Sequence, residues 1–176
     1  PMKKGAQAPG FNLPDTVTGK NLSLQDVRGA KGTVVMFICN HCPFVIHVNN
    51  QIVQLANDYQ QQGVGFVAIS SNDVAYYPQD GPEFMKRRAE QMQYPFPYLY
   101  DESQETAKAY DAVCTPEFFV LDKELKSVYH GQLDDSRPGY GTATGNSVRQ
   151  VLDKLLVGQD YLGPEIPSIG CSIKWK

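Results

Sequence analysis

The spacing of apolar positions changes several times along this chain, and each change predicts an element. Thr33-Val34-Val35-Met36-Phe37-Ile38 is an unbroken β-prone run, as expected of a strand buried on both faces. Val45, Val48, Ile52, Leu55, Ala56 and Tyr59 then recur at spacings of three and four, which predicts a helix stopped by Gly63. Gly65-Phe66-Val67-Ala68-Ile69-Ser70 reads as a second buried strand. Strand, helix and strand of these lengths make a right-handed βαβ unit. Residues 81–93 predict a further helix with Pro82 and Glu83 in its first turn. Residues 103–110 predict a shorter one with Ser103 as N-cap. Glu117-Phe118-Phe119-Val120-Leu121 and Ser127-Val128-Tyr129-His130 flank five polar-rich residues as a β-hairpin. Val148, Val151, Leu152 and Leu155 share one face of an amphipathic helix over 147–157. Residues 1–32 are instead an extended, turn-rich lead-in punctuated by Pro9, Pro14, Gly19 and Gly29.

Composition narrows the class. A length of 176 residues suits one domain over 1–176 with a proper core. Apolar residues at 41% and charged residues at 20% point to neither disorder nor a membrane protein. The longest apolar run, Val34 to Cys39, is far too short to span a bilayer. A net charge of −3 offers no basic footprint, so neither nucleic acid nor membrane is an expected partner. The N-terminal residues hold no apolar signal core, and a cytoplasmic location is expected, although a trimmed leader would leave no trace.

The chemistry enters with cysteine. Cys39-Asn40-His41-Cys42 follows the first buried strand directly, while Cys114 and Cys171 stand alone. A disulfide exchanger needs an attacking thiolate and a second thiol to resolve the mixed disulfide, and C-x-x-C at a helix start supplies both. With Cys39 at the helix N-terminus, unpaired N–H groups and the helix dipole are expected to lower its pKa. His41 adds a group that can be cationic near neutral pH, and is expected to favour the thiolate and make the couple less reducing than thioredoxin's. C-x-x-C is also a zinc half-site spacing, but no second C-x-x-C or H-x₃-H follows, so neither metal nor cofactor is expected. An inert buried pair is the remaining alternative. His47 lies about 140° round the helix from Cys42 and reads as a solvated histidine, with His130 blander still. Gly139-Tyr140-Gly141-Thr142-Ala143-Thr144-Gly145 lacks a following Lys and a preceding buried strand, so a loop rather than a phosphate cradle is expected. Cys114 and Cys171 are expected to be small buried hydrophobes, with a disulfide relay to the pair as the sharper possibility.

Two motifs carry a resemblance. Phe37-Ile38-Cys39-Asn40-His41-Cys42-Pro43 and Thr115-Pro116-Glu117-Phe118-Phe119-Val120-Leu121-Asp122 resemble the redoxin (AhpC/TSA) branch of the thioredoxin superfamily. The lead-in Phe11-Asn12-Leu13-Pro14-Asp15 through Ser23-Leu24-Gln25-Asp26 and the tail Gly170-Cys171-Ser172-Ile173-Lys174-Trp175 are similar to its peroxiredoxin-like group that carries C-x-x-C. The resemblance implies an α/β thioredoxin-like fold: a central mixed β-sheet flanked by helices, with an N-terminal extension and a C-terminal tail. It also implies a cis bond at Thr115-Pro116 facing the cysteines and shaping a groove for a substrate chain. Where thioredoxin has Trp before its first cysteine and a buried Asp earlier on the strand, this chain has Ile38 and Thr33. Glu117 is then the nearest candidate for a proton relay, or else a solvated strand residue. Peroxiredoxins carry P-x-x-x-T-x-x-C and a catalytic Arg, and Val35, Cys39 and Pro116 stand where the Pro, Thr and Arg would be.

The expected function is therefore thiol–disulfide exchange: Cys39 attacks, Cys42 resolves, His41 tunes, and Thr115-Pro116 forms the groove. Protein or small-molecule thiols and disulfides, with an electron donor or acceptor the sequence does not name, are the expected partners. A thiol peroxidase using Cys42 is the enzymatic alternative, and a non-catalytic redox sensor the other.

Overall fold

In the computed structural model, residues 2–176 are described. A short hairpin of β1 (Asn12–Pro14) and β2 (Asn21–Ser23) leads into one turn of helix, α1 (Leu24–Val27). Ser23 caps it, its hydroxyl accepting from the Asp26 amide while the Asp26 carboxylate accepts from the Ser23 amide. The lead-in is thus more ordered than its turn-rich sequence suggests.

Five strands form the central sheet, in the order β5 (Tyr98–Tyr100), β4 (Val64–Ser70), β3 (Gly32–Phe37), β7 (Glu117–Asp122), β8 (Ser127–Gly131). β3–β4 and β4–β5 are parallel, while β3–β7 and β7–β8 are antiparallel. This is the expected mixed sheet. β5 was not foreseen, since a three-residue Tyr98-Leu99-Tyr100 segment carries no measurable periodicity. Successive side chains of a strand face opposite ways, so β3 feeds two cores. Val34 and Met36 join one with α2 (Pro43–Gln60), α3 (Pro82–Met92) and α5 (Asn146–Leu156). Val35 and Phe37 join the other with Leu24, Tyr110 and α4 (Glu105–Ala109). All six residues of β3 are buried, which is what the unbroken apolar run predicts.

Helix boundaries differ from expectation in detail. α2 opens with Pro43 at its first position, and Gln61 ends it before Gly63. Gln104, in left-handed conformation, is the N-cap of α4 in place of Ser103, whose hydroxyl instead accepts from the Glu105 amide. The C-terminal tail folds back on the domain as a strap: β9 (Cys171–Ser172) pairs antiparallel with β6 (Cys114–Thr115). Among the described residues no helix is long and apolar enough to cross a membrane.

Phe119 sits at the centre of the second core, its ring 5.8 Å from Phe37, 5.3 Å from Tyr110 and stacked 4.1 Å from His130. Truncating a fully buried phenylalanine costs about 3–5 kcal/mol. Phe119→Ala is expected to lose that much stability in urea denaturation, and a loss under about 1 kcal/mol would contradict this packing.

Candidate active site

The β3–β7 register sets the site. Phe37 lies opposite Glu117, so the chain leaving β3 passes the residues preceding β7, Thr115 and Pro116. The Thr115-Pro116 peptide bond is cis. Ile38 is tied to β4 by its amide on the Ile69 carbonyl, and the turn Cys39–Cys42 follows.

Both turn cysteines are buried and both meet Thr115. Cys39 Sγ lies 3.5 Å from Thr115 Oγ1, and Cys42 Sγ lies 3.5 Å from the Thr115 carbonyl oxygen. Cys42, not Cys39, occupies the helix N-cap, its carbonyl accepting from the Val45 and Ile46 amides. This corrects the expected placement of Cys39 at the helix start. The disulfide partner of Cys42 is Cys171, at a Cα–Cα distance of 6.2 Å, leaving Cys39 and Cys114 as free thiols. Cys171 is thus not the unpaired buried hydrophobe expected of it.

The thiol pKa also moves against expectation. Burial pushes the Cys39 thiol up, and the Asp80 carboxylate adds to this, outweighing the Thr115 hydroxyl and the Cys42 and His41 amides that favour the thiolate. The cause is position: three residues before the N-cap, the sulfur is sealed from water rather than exposed to the helix dipole. His41 does not face Cys39 alone. Its Nδ1 lies 2.5 Å from Asp80 Oδ2, and its ring stacks on Tyr77 at 5.5 Å. Asp80, fully buried, also accepts from the Asn40 amide at 2.8 Å and from Asn72 Nδ2 at 2.9 Å. Asn40 is itself fastened, donating to the Gln79 carbonyl and accepting from the Tyr98 hydroxyl.

Cys39, His41 and Asp80 bring a sulfur, an imidazole nitrogen and a carboxylate oxygen within 4.8 Å of one another. Such a set could take a divalent ion only if the thiol were ionised. Asp80 already has its oxygens engaged, and the cluster is better suited to moving a proton. Asp80 carried no signal in the sequence, because nothing in the spacing links residue 40 to residue 80.

Glu117 faces elsewhere. Its carboxylate accepts from the Val113 and Cys114 amides at 2.9 and 3.1 Å and pairs with His130 Nε2. This lies on the Phe119 side of β7, away from the cysteine turn, so Glu117 is neither a solvated strand residue nor placed to relay a proton to Cys42. Burial opposes its ionisation, yet the His130 bond and the two amides hold it below the ordinary carboxyl value. Burial, and then Glu117, push the neighbouring Cys114 thiol up to about 12, which keeps it protonated and inert. His130 is therefore a half-buried hydrogen-bond partner of Glu117 rather than a bland surface residue. His47 is half-buried, 2.9 Å from the Ser136 hydroxyl, not freely solvated. Thr33, at the far end of β3, accepts from the Gly29 amide.

The AhpC/TSA family model matches residues 4–130. This chain belongs to the AhpC/TSA family. Over 129 residues it is 27% identical to the thiol-disulfide oxidoreductase ResA of Bacillus cereus, covering 72% of this chain and 68% of that protein. A crystal structure of a conserved protein from Geobacillus kaustophilus is 58% identical, covers all of this chain and 94% of its own, and superposes with a TM-score of 0.98. The thioredoxin domain of a thiol-disulfide oxidoreductase from Bacteroides vulgatus matches at 19% identity, with a TM-score of 0.64 over 85% of this chain and 98% of that one. The fold is thioredoxin-like.

Asp80→Asn removes the carboxylate charge beside Cys39. The Cys39 thiol should then ionise at lower pH than in the wild type, read from thiolate absorbance in a Cys114→Ser background with the Cys42–Cys171 bridge intact. An unchanged titration would show that Asp80 does not act on Cys39.

Proposed function

We propose that this AhpC/TSA family member is a thiol–disulfide oxidoreductase working through Cys39 and Cys42. The observation that carries the reading is that both sulfurs lie at one strand-to-helix turn, 3.5 Å from atoms of the same residue, Thr115, beside the cis Pro116. Cys39 is the attacking thiol and Cys42 the resolving one. Thr115-Pro116 shapes the groove, and the substrates are thiols or disulfides of proteins or small molecules. ResA's name adds support at low identity.

The raised Cys39 pKa changes how the attack is enabled. A protonated thiol is a poor nucleophile, so a base must take its proton as the sulfur attacks. His41 and Asp80 are the groups at hand, replacing Glu117 in that role. His41 thus tunes Cys39 through its contact with Asp80. Because burial and Asp80 disfavour the thiolate, they do not support a couple less reducing than thioredoxin's.

A second reading, thiol peroxidase through Cys42, draws on two observations. Cys42 is the N-cap of α2 and has a partner cysteine in the tail. Against it, Pro116 and Cys39 stand where the resemblance would require Arg and Thr to hold a peroxide oxygen.

Insulin reduction driven by a dithiol separates the readings. Cys39→Ser should drop turnover to background, and Cys42→Ser should accumulate a mixed disulfide at Cys39. Wild-type turnover from Cys39→Ser would contradict the assignment, and fast, saturable hydrogen peroxide consumption that requires Cys42 would favour the peroxidase.

A further inference from the structure

The Cys42–Cys171 bridge brings a third sulfur to the turn. β9 lies antiparallel to β6 with Cys171 opposite Thr115, on the backbone edge that ends at the cis proline. The strap runs tightly against that edge: a Cβ on Gly170 would stand 2.0 Å from the Thr115 carbonyl oxygen. Beyond the bridge the tail is held independently. The Ile173 amide donates to the Val113 carbonyl at 2.9 Å, and the Lys174 amide to Asn72 Oδ1 at 2.9 Å. The Lys174 carbonyl accepts from the Asp73 amide and from Gln104 Nε2, and the Ile173 side chain is buried. Breaking the disulfide therefore leaves Cys171 beside Cys42. Cys39 remains a free thiol that receives the Cys42 amide. Cys39, Cys42 and Cys171 thus all lie against Thr115.

We propose that Cys171 is a third redox-active cysteine, exchanging the disulfide with Cys39 through Cys42. Cys39 gives up its proton and its sulfur attacks Cys42 Sγ. The Cys39–Cys42 bond forms as the Cys42–Cys171 bond breaks, and Cys171 leaves as a thiolate that takes up the proton. One disulfide and one thiol stand on each side of the step, so no outside oxidant or reductant is needed. Asp80 and His41, within 4.8 Å of the Cys39 sulfur, are placed to carry the proton. The exchange moves an oxidising equivalent between the half-buried Cys171 of the strap and the buried Cys39–Cys42 turn. It rests on the reading of Cys39 and Cys42 as that pair.

The test uses the full chain, oxidised with glutathione disulfide, stepped from low to higher pH, quenched with N-ethylmaleimide and acid, and mapped by mass spectrometry without reduction. Wild type should show both bridges, and after the pH step the label should redistribute between Cys39 and Cys171. Cys39→Ser, or Cys39→Ala should serine disturb folding, should hold only Cys42–Cys171. A wild type in which Cys171 is always free, or in which Cys42–Cys171 never exchanges, overturns the relay. Cys171→Ser separates that failure from failure of the pair. If it forms no Cys39–Cys42 bridge under the same oxidation, the pair reading falls, whereas a bridge there with no exchange in wild type removes only the relay.

Discussion

The antiparallel register between β3 and β7 is the constraint on which the site depends. Because strand side chains alternate, a one-residue slip would turn every inward residue outward, and β3, buried on both faces, tolerates no slip at all. That register holds Phe37 opposite Glu117, and so brings Thr115 against the turn that leaves β3. Thr115 then does three things with three groups. Its hydroxyl meets Cys39, its carbonyl meets Cys42, and its backbone lies opposite Cys171 of the strap. The apolar packing of two cores thereby fixes distances between sulfurs that no local sequence could fix.

Electrostatics divides the cysteines by location. On the turn side, burial and Asp80 keep Cys39 protonated against the pull of two amides and a hydroxyl. On the opposite side of β7, the Glu117–His130 pair gathers the Val113 and Cys114 amides and leaves Cys114 with a thiol pushed up to about 12. Two free thiols thus sit beside carboxylates, Cys39 in one cluster with Asp80 and His41 and Cys114 against Glu117. The same short stretch, from Val113 to Glu117, holds the Glu117–His130 pair on one face and meets the cysteine turn with the other.

Much of this was legible in the sequence. Elements dominated by burial announced themselves: β3 and β4 as unbroken apolar runs, α2 and α5 by their three-and-four spacing, and the hairpin of β7 and β8 by its polar turn. The Cys39–Cys42 turn and the cis Thr115-Pro116 bond were legible as motifs. What was missed depends on chain segments far apart. Asp80 reaches the turn across forty residues, from a loop whose prolines and glycines signal only a bend. The bridge from Cys42 to Cys171 spans 129 residues, and spacing cannot choose among pairings of four cysteines. The expected low pKa of Cys39 failed because the helix begins at Pro43, so the dipole acts one turn further on. Glu117 was misplaced because strand alternation, correctly read, puts it on the face of Phe119 rather than that of Phe118.

The central claim is that the cysteines around Thr115 form one internal two-electron couple. Counting thiols per chain across a series of reduced-to-oxidised glutathione ratios tests it most directly. The account predicts four thiols at the reducing end and two at the oxidising end, joined by a single two-electron transition with the lost pair always including Cys42. A count that stays at four across the series, or falls only through glutathione adducts with no internal bridge, would contradict it.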